Sequence, residues 1–497
     1  MAIHSLVTPR RFVVLATLLS GGVALMPSVS SPVAAAGQGS AVASASTSTL
    51  DDQVDLAVTV YNSDLALVRD TRTLRIGQGV HDLQFMDIAA TVNPATVHFR
   101  SLSEPSRVSV LEQNYEYDLL EPDKLLRKYV GRDVTLVRRK TEQGTTSEEA
   151  VTAHLVSYNN APVWKINGEI VTGISADHIR FPELPGNLFS RPTLIWTLNN
   201  TGGTQHRVEA SYLAQRLSWN ADYVLTVARD DKTADLDGWV TVANESGTAF
   251  PNAKLQLVAG DVNRVKNTMR DNVGMQERML VAAAAPAMAE EAFSDYHLYS
   301  LERKTSINNH ETKQVTMLAA TSFPVEKRYV VNGQAFFYRN AQHPGATLKD
   351  DVQVFYRLKN EASAGLGLPL PKGTVRVYQS DSKGGTQFVG EDRIDHTPKD
   401  ETLNLKTGNA FDVTCVRKQT DFQRISGDVF ETEYSITLKN HKSVPVTVEV
   451  NEPIGGSWRM LSSSHTWTKS DAWAAQFQVP VAVDGTTELK YRVRVTY

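Results

Sequence analysis

The densest group of proton-handling side chains lies in "GEDRIDHTPKDETLNL", where Asp392, Arg393, Asp395, His396, Lys399 and Asp400 fall within nine positions. A carboxylate beside an imidazole can move a proton to or from a substrate. That requires both to face a cleft with a nucleophile or water within hydrogen-bond reach. Asp395 and His396 are therefore the candidate acid–base pair, and the chemistry they suggest is hydrolysis of an envelope glycan or peptide. The competing reading is an exposed charged loop, on which the chain has no catalytic residue.

Two further groups invite a metal. The stretch "SDYHLYSLERKTSINNHETKQV" carries His297 and His310. Zinc-binding histidines come as close pairs on one element with a third ligand elsewhere, and these two are 13 residues apart. In "DDKTADLDG", aligning Gly238 with the glycine of a calcium loop puts Asp235 and Asp237 in place. The first position is then Thr233 and the twelfth is Asn244, so two ligands are missing. Both stretches read as strands and turns, and no metal or other cofactor is expected. Cys415 is the one cysteine, which excludes an intrachain disulfide and any multi-cysteine metal site. No G-x-S-x-G elbow, phosphate loop, H-E-x-x-H or complete G-x-G-x-x-G is present. Trp219 and Tyr223 share a strand face with Leu217, Leu225 and Val227, which predicts core packing rather than ligand stacking.

The elements that must position these residues are strands. Period-2 alternation dominates, as in "DLAVTVYNSDLALVRDTRTLRI" and "ADYVLTVARD", and the fold class is all-β. Asn167-Gly168, Asn199 to Gly203, Asn332-Gly333 and Asp484-Gly485 read as hairpin turns, because Asn, Asp and Gly tolerate positive φ. One short helix is expected near 122–130, opened by Pro122 and Asp123 and closed by Gly131. The segments after it suggest a small barrel of about five strands. Four segments share a plan in which an alternating strand ends at Asn199, Asn244, Asn360 or Asn440, a polar loop follows, and a second strand begins. Such repeated hairpins build antiparallel β-sandwiches, with an immunoglobulin-like one at the C-terminus.

The N-terminus carries an address. Arg10 and Arg11 precede an apolar run from Phe12 to Leu25, and Ala34 to Ala36 supply small side chains for cleavage, so residues 1–36 read as a signal peptide. Gly21, Gly22 and Pro27 interrupt the run too early for a membrane anchor, and the arginine pair alone is a weak twin-arginine signal. The mature chain has no other transmembrane candidate, so it is expected to be soluble and exported, in the periplasm or outside the cell. Removing residues 1–36 takes Lys+Arg from 51 to 49 against 55 Asp+Glu, a net charge of −6. That balance argues against nucleic acid as a partner.

Residues 37–53 read as a disordered leader. An N-terminal β domain with the small-barrel part is expected over 54–185, a central β domain over 186–375 with a flexible Met- and Ala-rich insertion at 266–293, and the C-terminal sandwich over 376–497. The function expected from these features is that of an exported, non-catalytic β-rich envelope protein. It would bind an unknown protein or glycan of the cell envelope, for example by strand addition at a free sheet edge.

The segments "LSWNADYVLTV", "GWVTVANESGTAF", "LQLVAGDVNRV", "VEKRYVV", "LPLPKGTVRVY", "EDRIDHTPKDETLNL" and "YSITLKNHK" resemble a bacterial family of exported proteins, the domain of unknown function four-one-three-nine. The resemblance runs from about Asp55 to Tyr497. It implies no activity, cofactor or catalytic residue. Some relatives are labelled mucoidy inhibitors, which implies a link to envelope polysaccharide. Those relatives place a coiled coil ahead of the shared part, and this chain has no heptad run.

Overall fold

The computed structural model describes residues 46–116, 122–142, 145–183, 191–260, 262–263, 288–342 and 346–497. The expected signal peptide, leader residues 37–45 and insertion residues 266–287 lie outside the described residues. Within them the chain is all-β: strands form several sheets around one α-helix, Pro122–Lys128, which buries Leu126 and carries Arg127 and Lys128 in its last turn. No helix among the described residues is long and apolar enough to cross a membrane.

Ordered structure starts upstream of Val54. Ser46–Ser48 pairs in parallel with Gly79–Met86, and Thr49 and Asp52 form a capping box on a single 3-10 turn. The fully buried Arg72 donates to Ser48 Oγ at 3.1 Å, to Asp70 Oδ2 at 2.8 Å and to Met86 O at 2.8 Å. Its guanidinium lies 3.6 Å from the Phe85 ring centroid. The second half of the expected leader is thus held by a cap and a buried cation, neither of which composition registers.

Among the described residues three hydrophobic cores form, and they interleave along the sequence. The largest draws on residues from Leu56 to Leu405. It gathers side chains of a four-stranded sheet, an eight-stranded sheet and one end of a ten-stranded sheet. Trp196, Phe85 and Phe99 pack at its centre, with ring centroids 5.4 and 4.6 Å from the indole. A second core runs from Tyr329 to Val495, between the far end of the ten-stranded sheet and a five-stranded sheet of order Thr347–Asp350, Val413–Ser426, Val429–Asn440, Thr486–Thr496, Ser457–Ser463. This is the C-terminal sandwich; Phe477 from one sheet stacks on Tyr491 from the other at 5.2 Å. The first core crosses both boundaries expected at 185/186 and 375/376. The strands Gly373–Ser380 and Thr386–Ile394 join it beside Leu217–Val227, while the sandwich recruits Tyr329, Val331, Phe337, Tyr338 and Val352 from upstream. The third core is small and surrounds Trp164 and Tyr129. Its five strands run in the order Glu169–Thr172, Pro162–Ile166, Thr145–Tyr158, Asp133–Glu142, His178–Arg180, an open sheet in place of the expected barrel.

One strand belongs to the first two cores. Glu311–Asn332 is 22 residues long, about 73 Å at roughly 3.3 Å per residue. Its first half pairs with Thr233–Asn244, and its second half pairs with Gln353–Lys359 on one side and Val446–Pro453 on the other. Ser322, at φ 55°, lies in a bulge of the first pairing between Ala320 and Phe323; that pairing runs on to Pro324, and the second begins at Val325.

The repeated asparagine plan is real, but its loops are mostly arches rather than hairpins. Thr193–Asn200 and Gln205–Ala214 lie in different sheets, as do Thr233–Asn244 and Phe250–Ala259, and Val429–Asn440 and Val446–Pro453. Gln353–Lys359 and Gly373–Ser380 share a sheet without being neighbours. In the first segment the turning residue is Asn200 rather than Asn199, since alternation puts position 200 on the buried face. Asn200, Asn244, Asn360 and Asn440 are each 0–1% exposed. Each amide nitrogen donates to a carbonyl of its own loop and to one of a neighbouring segment: from Asn440 to Val444 O and Ala482 O at 2.9 and 3.0 Å, and from Asn360 to Leu368 O and Pro398 O at 2.7 and 2.9 Å. Each Oδ1 accepts an N–H from its own loop. Of the expected hairpin turns, Asn167-Gly168 joins paired strands, with φ of 50° and 92°. Asp484-Gly485 crosses between sheets, and Asn332-Gly333 ends the long strand.

Candidate binding edge of the C-terminal sandwich

The residues singled out for chemistry are dispersed. Asp395 is exposed, in the loop after Thr386–Ile394. His396 is half-buried, and its Nδ1 accepts the backbone N–H of Lys372 at 3.3 Å. His297 sits on the strand Tyr296–Ser300 with Nδ1 2.8 Å from Glu290 Oε1, whereas His310 occupies a turn at φ 56° and donates its backbone N–H to Asn244 O. Asp235 and Asp237 lie on the exposed face of Thr233–Asn244, where Asp235 accepts the Ser322 N–H at 2.7 Å. Burial, with Asp235 adding its charge, pushes the Asp237 carboxyl up. Asp231, from the same acidic run, accepts from Tyr356 Oη at 2.6 Å, Gln379 Nε2 at 2.7 Å and Lys327 Nζ at 3.1 Å, which ties three strands together. Among the described residues no group of three or more His, Cys, Asp and Glu side chains stands in a metal-holding arrangement. Trp219 and Tyr223 are buried at 1% and 0% exposure in the first core, as alternation predicts.

A charge centre is sealed inside the C-terminal sandwich. Arg417 donates from Nε to Asp350 Oδ2 at 2.7 Å and sets Nη2 2.7 Å from Glu452 Oε1, both Arg417 and Glu452 having fully buried side chains. The second contact is one of charge rather than of an aligned hydrogen bond. Tyr338 Oη donates to Glu452 Oε2 at 2.5 Å and lies 2.9 Å from Tyr491 Oη. Burial alone would lower the Arg417 pKa, and Glu452 heads the partners that more than reverse it. Burial holds both tyrosines far above their usual range, and it pushes the neighbouring Cys415 thiol up to about 12 with help from Asp350. Arg417, Glu452, Tyr338 and Tyr491 are 0–1% exposed, so the centre serves packing.

The open margin of the same sandwich is different. Ser457–Ser463 is the outermost strand of the five-stranded sheet and Trp467–Asp471 that of the ten-stranded sheet, joined by residues 464–466. Trp458 lies opposite Val495 and Trp467 opposite Phe477, both of which are fully buried, so cross-strand pairing turns the two indoles toward the space between the sheets. Their ring centroids are 5.4 Å apart at 53°. Lys469 Nζ stands 5.0 Å from the Trp458 centroid, and Trp458 Nε1 donates to Ala472 O at 3.1 Å. Trp467 remains 37% exposed, and Trp473, in the next turn, 63%. Residues 460–467 line an open crevice of about 590 Å³. Its connecting turn is stiffened from within: Ser463 Oγ donates to His465 O at 2.6 Å, Ser464 Oγ lies 2.9 Å from His465 Nδ1, and Lys490 donates its backbone N–H to Ser464 Oγ at 2.8 Å.

Strand alternation does not distinguish these tryptophans from Trp219. The usable signal is density, since three of the seven tryptophans fall within the sixteen residues from Trp458 to Trp473. Asp395 and His396 follow the strand at the opposite end of the ten-stranded sheet, so the acid–base candidates and the aromatic edge are not one site.

A family described as a domain of unknown function (DUF4139) matches residues 208–497; residues 55–207, where the resemblance was expected to begin, lie outside that match. No curated protein matches the chain.

Proposed function

Since the chain belongs to the DUF4139 family, whose description assigns no activity, its role has to be argued from what its surface can hold, and we propose that it is an exported, non-catalytic protein of the bacterial cell envelope that binds another envelope component. The observation that carries this reading is the aromatic edge, where indole surface that could have packed inward stays in water beside an open crevice. Exposed tryptophan is costly to solvate and is enriched where proteins bind. The signal-like residues 1–36 support export, and the acidic balance of the mature chain disfavours nucleic acid. The hydrolase reading gains nothing from Asp395 and His396, since the Asp395 carboxylate is out in solvent and the His396 Nδ1 is already taken up by a backbone N–H.

A photo-crosslinking amino acid at position 473, compared in living cells with the same group at the exposed Glu326, tests the proposal. The expected result is a mature chain beginning near Gly37, recovered in the envelope fraction, with an adduct formed from position 473 and not from 326. Retention in the cytoplasm, or equal adducts from both positions, would refute it.

A further inference from the structure

We propose that the ligand of this edge is a neutral glycan, seated with the C–H face of a sugar ring on Trp467 and its hydroxyls toward the Ser462–Thr466 turn. This assignment rests on the binding reading above and adds the chemical class of the ligand.

Three observations select that class. The first is the lining. Residues 460–467 include four hydroxyl side chains and one imidazole but no charged group; Ser463 and Ser464 are engaged in stiffening the turn, while Ser462 and Thr466 are exposed. Of the cations around it, Lys469 is engaged over Trp458, Lys490 pairs with Glu488, and Arg492 pairs with Asp421, Glu431 and Glu433. A crevice of that composition offers hydrogen bonds without a counter-charge, which suits a polyhydroxylated neutral molecule and not a phosphate or an acidic peptide. The second is the pairing of surfaces. A pyranose ring has an apolar C–H face and a rim of hydroxyls, and here the exposed indole of Trp467 adjoins exposed hydroxyl side chains in an open crevice of about 590 Å³.

The third observation bears on the rival occupant, an extended peptide added to a strand edge. Strand addition needs an unbroken row of backbone donors and acceptors. Both edge strands are interrupted, by register shifts between Met460 and Ser462 and between Lys469 and Asp471. Bulges of this kind blunt an edge against further pairing. The edge therefore recognises through its side chains.

Titration of the mature protein with neutral tetrasaccharides of glucose and of N-acetylglucosamine, followed by tryptophan fluorescence and calorimetry, is the test, with a uronate tetrasaccharide and a β-forming hexapeptide as comparators. Saturable binding of at least one neutral oligosaccharide is expected, weakened at least tenfold by Trp467→Ala and by Thr466→Glu. The second variant places a carboxylate in the uncharged crevice. Thr466 is exposed, so the melting temperature of that variant should not move, and Trp467→Phe should retain part of the affinity. No binding of either neutral series, or tighter binding of the uronate or the peptide, overturns the glycan assignment. If position 473 still crosslinks in cells under that outcome, the binding reading stands with a different ligand; if it does not, both fall.

Discussion

At the scale of single residues, the molecule seals a few charges away from water and leaves a few aromatic rings in it. Arg417 illustrates the first. A guanidinium buried against Glu452 and Asp350 loses its hydration, and it is tolerated because its partners supply the compensating charge. Removing one member leaves the others uncompensated, so Arg417→Met is expected to destabilise the chain by about 3–5 kcal/mol. Combining it with Glu452→Gln should recover part of that loss, as read from urea midpoints at constant slope. If the single variant matches the wild type, the centre contributes no stability. Trp473 illustrates the second. It caps no core, its backbone N–H is held by Asp471 Oδ1 at 2.6 Å, and its ring is left to solvent. No core contact explains its placement, and the proposed binding role would.

At the scale of elements, the recurring device is the arch pinned by a buried asparagine. An arch carries the chain from one sheet to the facing one, which strands several carbonyls in a space that water cannot reach. The amide at the end of the strand answers them, two or three at a time. An unpaired buried polar group costs about 1–3 kcal/mol. Asn440→Ala should therefore lower stability by at least that much and Asn199→Ala by less than about 0.5 kcal/mol, a contrast that thermal melts of the two variants would reveal or refute. The same device marks what sequence can and cannot convey. Alternation identifies the strands and their buried faces because side chains two apart share a side, and it predicted Trp219 and Tyr223 correctly. It does not say which sheet the next strand joins, because a positive-φ turn looks alike in a hairpin and in an arch. The candidate site was illegible for a related reason. Trp458 and Trp467 alternate like core residues, and they meet water only because their strands are the last in their sheets.

At the scale of the whole molecule, the family-matched segment 208–497 is not a self-contained fold in this chain. The core it enters is completed by Leu56, Val58, Val60, Val68, Phe85 and Trp196, all upstream of residue 208. A fragment of residues 208–497 should accordingly bind a hydrophobic dye such as anilinonaphthalene sulfonate and lose near-ultraviolet circular dichroism, while the full mature chain does neither; a fragment with native dichroism and no dye binding would show that the upstream strands are dispensable. The strand Glu311–Asn332 gives the same interdependence a mechanical side. One strand passes through both large cores, bulged at Ser322 and paired to a neighbour along most of its length. Tension carried from one core to the other falls on those ladders in shear, many bonds at a time, so the two halves of the molecule are joined by paired strand and not by an unpaired linker.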